Sequence, residues 1–239
     1  MPAEPLDWSR YRAVLLDLDG VITPTAEVHQ RAWATLFEPW GFTAADYLTH
    51  VDGKPRYDGV RSFLASRGVA LPDGRPSDPP GDSTVAALGN RKDALFRELL
   101  DRDGVTPYPG TLAVLDELDR LGLAQAVVSS SRNARPVLRA AGLGDRFATV
   151  VDGVTLDEER LPGKPAPDMF LRAAELLGVA PADAVVVEDA SSGVAAGVTG
   201  GFGLVIGIDR GGNREALEQA GADVVVADLA ETLPAGRLR

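Results

Sequence analysis

Two carboxylates separated by a single residue are the part of this sequence best suited to chemistry. Asp17 and Asp19 follow the apolar run Ala13–Leu16 and precede Gly20. In extended backbone, residues two apart point to the same face, so these side chains would repel each other without a cation or a shared proton. An isolated Asp-Gly pair is more often a simple turn. Because two acids occur here, the pattern favours a metal site or an acid–base site over a turn alone.

Three later segments also carry polar side chains where an apolar strand is predicted to end. Residues 129–133 combine hydroxyls with a cation, which suits a phosphate cradle as well as a simple helix cap. Lys164 lies in a proline-braced turn, where it is either a positioned charge or an ordinary solvated lysine. Glu188 and Asp189 could supply oxygen ligands for Mg²⁺ or only cap a helix. Since ligands bind at the carboxyl ends of strands in open α/β sheets, the segments together predict a phosphate and metal site.

Composition limits the classes of partner and ligand. The 239 residues are 45% hydrophobic, enough for a sizeable core, and carry a formal net charge of −11. No basic cluster is present, which argues against nucleic acids and anionic membranes as partners. The sequence contains no cysteine, so a metal would have oxygen or imidazole ligands. With His29 and His50 as the two histidines, Mg²⁺ is favoured over Zn²⁺.

The amino terminus and the hydropathy pattern bear on location. Residues 1–8 lack the basic and apolar regions of a secretory signal, and no apolar run approaches the length of a membrane span. A cytoplasmic protein is therefore expected.

The elements that must position these side chains indicate an α/β fold with an insertion. Helices and strands alternate after residue 107, which indicates a doubly wound, parallel, Rossmann-like sheet. The predicted organisation is an α/β core (catalytic) domain of residues 1–24 and 107–239, with an inserted all-helical cap domain of residues 25–106 that is well placed to act as a lid. The predicted strands are 13–18, 124–129, 148–151, 184–187, 204–208 and 224–226. The predicted helices are 26–40, 43–50, 55–67, 84–103, 112–121, 133–141, 165–177 and 192–198, with a Pro/Gly-rich loop at 71–82.

Taken in order, the four polar segments resemble the motifs of the haloacid dehalogenase-like phosphotransferases, and the likeness covers nearly the whole chain. The matching residues are Asp17-Leu18-Asp19-Gly20-Val21, the strand-end Ser129, Gly163-Lys164-Pro165-Ala166-Pro167-Asp168 and the Glu-Asp-x-x-x-Gly pattern of residues 188–193. Further likeness to the β-phosphoglucomutase subfamily comes from Ile22-Thr23, Thr25-Ala26-Glu27, His29, Arg31-Ala32-Trp33 and Ser129-Ser130-Ser131-Arg132-Asn133.

The resemblance implies a mechanism. Asp17 would attack phosphorus and become an aspartyl phosphate, while Asp19 would act as general acid and base. Lys164 and Ser129 would help to neutralise the transferring phosphoryl group. Mg²⁺ would be bound by Asp17, the Asp19 carbonyl, Glu188 and Asp189.

The resemblance and the motifs leave three alternative functions, two enzymatic and one non-enzymatic. The first is a β-phosphoglucomutase, which converts β-glucose 1-phosphate to glucose 6-phosphate through glucose 1,6-bisphosphate. The second is a sugar-phosphate phosphatase that gives the same aspartyl phosphate to water. The third is a non-enzymatic phospho-Asp receiver module, which has no use for Asp19 or for the insertion. A monomer acting on a small sugar phosphate is expected.

The resemblance also implies a substrate pocket shared by the cap and the core. Arg56 matches a cap arginine that grips the distal phosphate, and Lys92 matches a cap lysine near the sugar. The predicted substrate-binding residues are Thr25, His29, Gly53, Arg56, Lys92, Ser130, Ser131, Arg132 and Asn133. Two positions depart from the pattern of the family. Pro24 stands where an Asp is usual. Asp52 stands where mutases can have a pocket lysine, and Lys54 could substitute for that lysine.

Overall fold

The structure is a computed structural model that describes residues 5–51, 54 and 56–234. The chain forms two compact units. One consists of Met1–Pro24 and Val105–Arg239, and we call it the core unit. The other is Thr25–Gly104, which we call the cap unit. The chain returns from the cap unit to the core unit at residues 104–105, just after the long helix of the cap unit ends at Asp103.

A parallel sheet forms the centre of the core unit. Within the described residues it has six strands in the order β3-β2-β1-β4-β5-β6, which confirms the doubly wound, Rossmann-like sheet predicted from the sequence. The strands are β1 Ala13–Leu16, β2 Ala124–Val128, β3 Thr149–Val151, β4 Ala184–Glu188, β5 Leu204–Ile208 and β6 Val224–Val226. Because the chain adds β2 and β3 on one side of β1 and β4 to β6 on the other, β1 and β4 lie at the switch point where such sheets bind ligands.

Helices cover the sheet, which explains why its central strands have no polar face. All four residues of β1 are buried, as are all five of β4. The helix Asp168–Leu177 packs Phe170 into the same buried cluster as Leu15 and Val186. Full burial of a side chain of this size stabilises the fold by about 1.5–3 kcal/mol. The α-helices of the core unit are Pro109–Leu121, Ala134–Ala140, Gly153–Glu159, Asp168–Leu177, Ser191–Thr199 and Arg214–Gln219.

The cap unit is helical in its described residues and has its own aromatic core. Phe37 and Phe63 pack with their ring centroids 4.1 Å apart, and both are fully buried. Thr84 caps the longest helix by accepting a hydrogen bond from the N–H of Ala87. The helices are Thr25–Phe37, Ala44–Asp46, Arg56–Ser66 and Val85–Asp103, with a 3₁₀ turn at Glu38–Trp40 and a π-helical turn at Tyr47–Val51.

Several predicted boundaries were wrong for identifiable reasons. The helix expected from residue 112 begins at Pro109, because proline at the first helical position needs no hydrogen-bond partner for its nitrogen. The helix expected from residue 165 begins at Asp168. The α-helix expected to reach residue 40 ends at Phe37, and the helix expected at 43–50 is divided into a short α-helix and a π turn. The helices Gly153–Glu159 and Arg214–Gln219 were missed.

None of the helices in the described parts of the chain combines the length and the apolar character needed to cross a bilayer.

Candidate functional site

A tight turn after β1 carries the carboxylates of Asp17 and Asp19. Asp17 continues the strand, since its N–H donates to the carbonyl of Val187 at 2.9 Å. The turn then closes on Leu18, whose carbonyl accepts from the N–H of Ile22 and of Thr23, each at 3.0 Å. These bonds fix the turn at the carboxyl edge of the sheet, next to β4.

Gly20 lets this turn approach the end of β4 closely. Its φ of +85° is strained for residues with a side chain. A Cβ at this position would lie 1.8 Å from Asp189 Oδ2, so even alanine would displace that carboxylate. The glycine after Asp19 is therefore required both by the backbone and by the proximity of Asp189.

Lys164 joins the ends of three strands. Its Nζ lies 2.5 Å from Asp17 Oδ1, 2.7 Å from Glu188 Oε1 and 3.0 Å from the carbonyl of Val128. The side chain is only 6% exposed, so these contacts replace water almost completely. The structure thus brings together Asp17, Lys164 and Glu188, three residues that the sequence analysis took from separate segments.

Glu188 has both carboxylate oxygens engaged by donors. Oε1 accepts from Lys164, and Oε2 accepts from the N–H groups of Asp189 and Ala190, each at 2.9 Å. These bonds make Glu188 the support of Lys164 and of the chain that follows β4. Its role as a direct metal ligand stays a prediction.

Burial and crowding of carboxylates shift the pKa values of the site. Burial, together with the negative charges of Glu188, Asp19 and Asp189, raises the pKa of Asp17 well above its ordinary value, although Lys164 acts in the opposite direction. Burial, with Glu188 and Asp19, raises the pKa of Asp189 to about 7. Burial disfavours the charge of Lys164, but Asp17 and Glu188 together raise its pKa, so the lysine stays protonated. The site holds more negative charge than one lysine neutralises.

This excess of carboxylate charge fits a hard divalent cation. The carboxylates of Asp17 and Asp189 and the main-chain oxygen of Asp19 are the oxygen donors that Mg²⁺ prefers. In the described part of the chain, no group of three or more His, Asp or Glu side chains is arranged to enclose a metal by itself. Mg²⁺ would therefore need further ligands, and it commonly keeps waters and substrate phosphates as such ligands.

The loop after β2 places its hydroxyls unequally. The Oγ of Ser129 lies 3.4 Å from Asp19 Oδ2 and accepts from the N–H of Ser131 at 3.1 Å. Ser131 Oγ in turn accepts from the N–H of Asn133, which is buried. Ser130 Oγ contacts the sulfur of Met169, and the half-exposed Arg132 forms an ion pair with Asp157. Ser129 is thus the residue of this loop that the structure brings to the carboxylates.

The predicted substrate residues of the cap unit form two clusters within that unit. In the first, Lys92 Nζ lies 2.6 Å from His29 Nδ1, and the imidazole stacks on Phe96 at 4.1 Å. Burial and the charge of Lys92 hold the pKa of His29 well below its ordinary value. Thr25 is fully buried at the start of its helix.

The second cluster surrounds Arg56. Its Nη1 lies 3.0 Å from Asp93 Oδ1, and its Nη2 donates to Asn90 Oδ1 at 3.3 Å. Lys54 is held by Thr49, whose carbonyl accepts from its Nζ at 2.9 Å. Gly53 and Asp52 lie outside the described residues.

Two residues at this edge of the sheet were missed by the sequence analysis. Arg210 and Asn213 follow β5, and they donate to the carbonyls of Gly20 and Asp189 at 2.6 Å and 2.8 Å. The available signal was the polar run Asp209-Arg210-Gly211-Gly212-Asn213 at the carboxyl end of a predicted strand. A polar run directly after an apolar strand is the same signal that points to Asp17, Ser129 and Glu188.

Comparisons with known proteins agree over most of the chain. A family model for haloacid dehalogenase-like hydrolases matches residues 11–201. A β-phosphoglucomutase of Mycobacterium bovis is 52% identical over 242 residues, covering 94% of this chain and 92% of that protein. Hexitol phosphatase A of Escherichia coli is 32% identical over 201 residues, covering 82% of each chain. The crystal structure of a β-phosphoglucomutase from Clostridium difficile matches with a TM-score of 0.72 at 26% identity, covering 92% of both chains.

Proposed function

The chain belongs to the haloacid dehalogenase-like hydrolase family and to its β-phosphoglucomutase-like subfamily, and we propose that it interconverts β-glucose 1-phosphate and glucose 6-phosphate. The reaction passes through an aspartyl phosphate on Asp17 and through glucose 1,6-bisphosphate, and it requires Mg²⁺. The observation that carries the proposal is the buried contact of Lys164 with Asp17 and Glu188 at the switch point of the sheet. A cytoplasmic location and a monomeric state belong to the same proposal.

Asp17 is the proposed nucleophile. One of its oxygens attacks phosphorus, so that a P–O bond to Asp17 forms while the P–O bond to the sugar oxygen breaks. Lys164, 2.5 Å from Asp17 Oδ1, orients the carboxylate and favours its ionised form. Its positive charge also offsets negative charge on the transferring phosphoryl group.

Asp19 is the proposed general acid and base. It gives a proton to the leaving sugar oxygen and later removes one from the hydroxyl that receives the phosphoryl group. The hydroxyl of Ser129, 3.4 Å from Asp19 Oδ2, supports this carboxylate and is a donor for phosphate oxygens. Proton transfer of this kind raises the rate of a reaction about 10²- to 10⁴-fold. Neutralisation of the charge on the phosphoryl group must therefore supply much of the remaining rate enhancement.

Mg²⁺ would be held by the carboxylates of Asp17 and Asp189 and by the main-chain oxygen of Asp19. When bound, it supplies positive charge to the oxygens of the transferring phosphoryl group.

The choice of a mutase rests on a second phosphate site and on the relatives. A mutase must hold glucose 1,6-bisphosphate while the intermediate reverses its orientation, and Arg56 is the proposed ligand of the distal phosphate. The relative named β-phosphoglucomutase is 52% identical over nearly the whole chain. A phosphatase using the same aspartyl phosphate is the second candidate, because the family model describes hydrolases and one relative is named a hexitol phosphatase.

One assay separates the two candidates. The protein is given β-glucose 1-phosphate, Mg²⁺ and a catalytic amount of glucose 1,6-bisphosphate, and both glucose 6-phosphate and inorganic phosphate are measured. The mutase proposal expects glucose 6-phosphate without free phosphate. Stoichiometric release of phosphate would reject the mutase and support the phosphatase.

A further inference from the structure

The loop that follows β5, residues 209–213, is held by internal hydrogen bonds and lies at the same edge of the sheet as the candidate site. Asp209 Oδ1 accepts hydrogen bonds from the N–H groups of Gly211, Gly212 and Asn213 at 3.3, 2.7 and 3.0 Å. The N–H of Asp209 donates to the carbonyl of Val226 at 2.8 Å, which attaches the loop to β6. We call residues 209–213 the β5 loop.

Arg210 extends from the β5 loop to the turn that follows Asp19. Its Nε donates to the carbonyl of Gly20 at 2.6 Å, and its guanidinium lies 3.6 Å from the ring centroid of Tyr108. The N–H of Tyr108 donates to the carbonyl of Ile22 at 2.9 Å, so the aromatic ring is attached to the same turn. Arg210 therefore holds the turn both directly and through Tyr108.

Asn213 extends from the same loop to the other side of the site. Its Nδ2 donates to the carbonyl of Asp189 at 2.8 Å. The carboxylate of Asp189 lies against Gly20, as the absence of room for a Cβ there shows. One loop thus holds two segments that touch each other and that carry the proposed ligands of Mg²⁺.

Arg210 and Asn213 both donate to main-chain carbonyls and not to the carboxylate of Asp189. Hydrogen bonds to the carboxylate oxygens of Asp189 would compete with a bound cation for those oxygens. Bonds to the carbonyls of Gly20 and Asp189 fix the backbone and leave that carboxylate available. They also oppose the repulsion between Asp189 and Asp19, which would otherwise drive the two segments apart.

We propose that Arg210 and Asn213 are positioning residues that hold Asp189 and the Asp17–Asp19 turn at the spacing needed to bind a divalent cation. This inference rests on the proposed function only in its assignment of the metal ligands. Residues that orient metal ligands typically change metal affinity 10- to 100-fold when they are removed. We therefore expect an effect of about 10-fold for either side chain.

The test measures Mn²⁺ binding to the full chain in the absence of sugar phosphate, from the electron paramagnetic resonance signal of free Mn²⁺. Asn213→Ala and Arg210→Ala are expected to raise the Kd for Mn²⁺ about 10-fold. Arg210→Lys keeps the positive charge and N–H donors at the end of the side chain and should recover part of the affinity. Arg214→Ala is the matched control, because Arg214 lies just beyond the loop, is half exposed, and donates to the carbonyl of Val225 on β6. Its Kd should equal that of the unchanged protein.

A second measurement separates positioning from a merely structural role. If the two residues position metal ligands, raising the Mg²⁺ concentration should restore most of the lost kcat in Asn213→Ala, while the melting temperature without metal changes by no more than in Arg214→Ala. A large loss of melting temperature with an unchanged Kd for Mn²⁺ would overturn the inference. Asn213→Ser provides a milder variant with the same expected direction if the alanine variant does not fold.

The outcomes also distinguish this inference from the proposed function. If the variants bind Mn²⁺ as tightly as the unchanged protein, the inference fails while a mutase or phosphatase activity can stand. If the variants bind Mn²⁺ more weakly and no sugar phosphate is turned over by any form, the inference holds and the proposed function fails. If the unchanged protein binds no Mn²⁺, the inference is rejected together with the requirement for Mg²⁺.

Discussion

The two units of this chain use buried lysines in different surroundings. In the core unit, Lys164 lies between the carboxylates of Asp17 and Glu188 and over the ring of Phe170. In the cap unit, Lys92 lies beside the imidazole of His29 and over the aromatic rings of Trp33 and Phe96. The first environment fixes one positive charge between the carboxylates of Asp17 and Glu188. The second joins a lysine to an imidazole instead of to a pair of carboxylates from the turn after β1 and from β4.

From this contrast we predict that the reaction and the choice of substrate can be altered separately. Changes among Asp17, Lys164 and Glu188 should affect every phosphate ester alike. A change at Arg56 should affect the turnover of some substrates more than that of others. A change at His29 should affect stability at some pH values more than at others.

Asp17→Asn should abolish turnover of all phosphate esters, with a loss of at least about 10⁴-fold, because the amide cannot form the covalent phosphoenzyme. Phosphate transfer to the protein is measured with acetyl phosphate, and turnover is measured with β-glucose 1-phosphate. The exposed Asp145→Asn serves as control and should retain full activity. Significant turnover by Asp17→Asn would mean that the carboxylate is not the nucleophile.

Lys164→Ala should lower the free energy of unfolding by about 3–5 kcal/mol, because it leaves Asp17 and Glu188 as uncompensated buried carboxylates. Urea denaturation at pH 7 measures the change. Lys54→Ala removes a lysine whose carbonyl and hydroxyl partners, Thr49 and Ser62, are neutral, and it should cost far less. Equal losses in the two variants would remove the distinction drawn between the units.

Arg56→Ala should reduce kcat/KM for the sugar phosphate about 10- to 100-fold, the size expected for one charged hydrogen-bonding group. Phosphoenzyme formation from acetyl phosphate should change less than twofold, roughly the spread expected for a group outside the reaction. Arg97→Ala is a matched control, since Arg97 pairs with the same carboxylate, Asp93, and is half exposed. A similar loss with both substrates would contradict a role restricted to substrate selection.

The contribution of His29 to stability should decrease as the pH falls below about 6.5, whereas the raised pKa values of Asp17 and Asp189 act in the opposite direction. Burial and Lys92 lower the pKa of His29 in the folded state, whereas the unfolded value is 6.5. Below that pH the unfolded state binds a proton at His29 that the folded state does not, so this residue makes unfolding easier by at most about 1.4 kcal/mol per pH unit. Urea denaturation at several pH values measures the slope of the free energy of unfolding against pH. The range runs from pH 5 to about 7.5, roughly one unit above the unfolded pKa.

His29→Gln should remove this contribution, whereas His50→Gln should leave it unchanged. A slope that is the same in both variants and in the unchanged protein would show that His29 is not the group responsible.

The parts of the molecule that the sequence predicted well are those with a periodic or residue-type signal. The strands are short apolar runs, and the residues after β1, β2 and β4 are conspicuous because acids or hydroxyls follow such runs directly. Lys164 was singled out for its proline-braced turn, and the structure brings it to Asp17 across 147 residues of sequence. Their roles in the reaction stay predictions until the variants are measured.

The parts that it missed depend on main-chain partners or on short local bonds. Arg210 donates to the carbonyl of a glycine 190 residues earlier, and a carbonyl gives no residue-type signal to search for. The missed helix Gly153–Glu159 begins with a capping box made by Asp152 and Thr155, and its seven residues are too few to show a clear helical period. Cap pairs such as Arg56 with Asp93 require knowledge of how two helices face each other.

The last glycine of the Glu-Asp-x-x-x-Gly pattern has a consequence for how this sequence can vary. A Cβ on Gly193 would lie 1.7 Å from Glu188 Oε1, so the glycine provides the space for the longer acid. The two positions should therefore tolerate change only together. Gly193→Ala is expected to be poorly tolerated beside Glu188, and shortening the acid with Glu188→Asp is expected to relieve part of that penalty. A directed-evolution library that varies one of these positions alone would miss the permitted combinations.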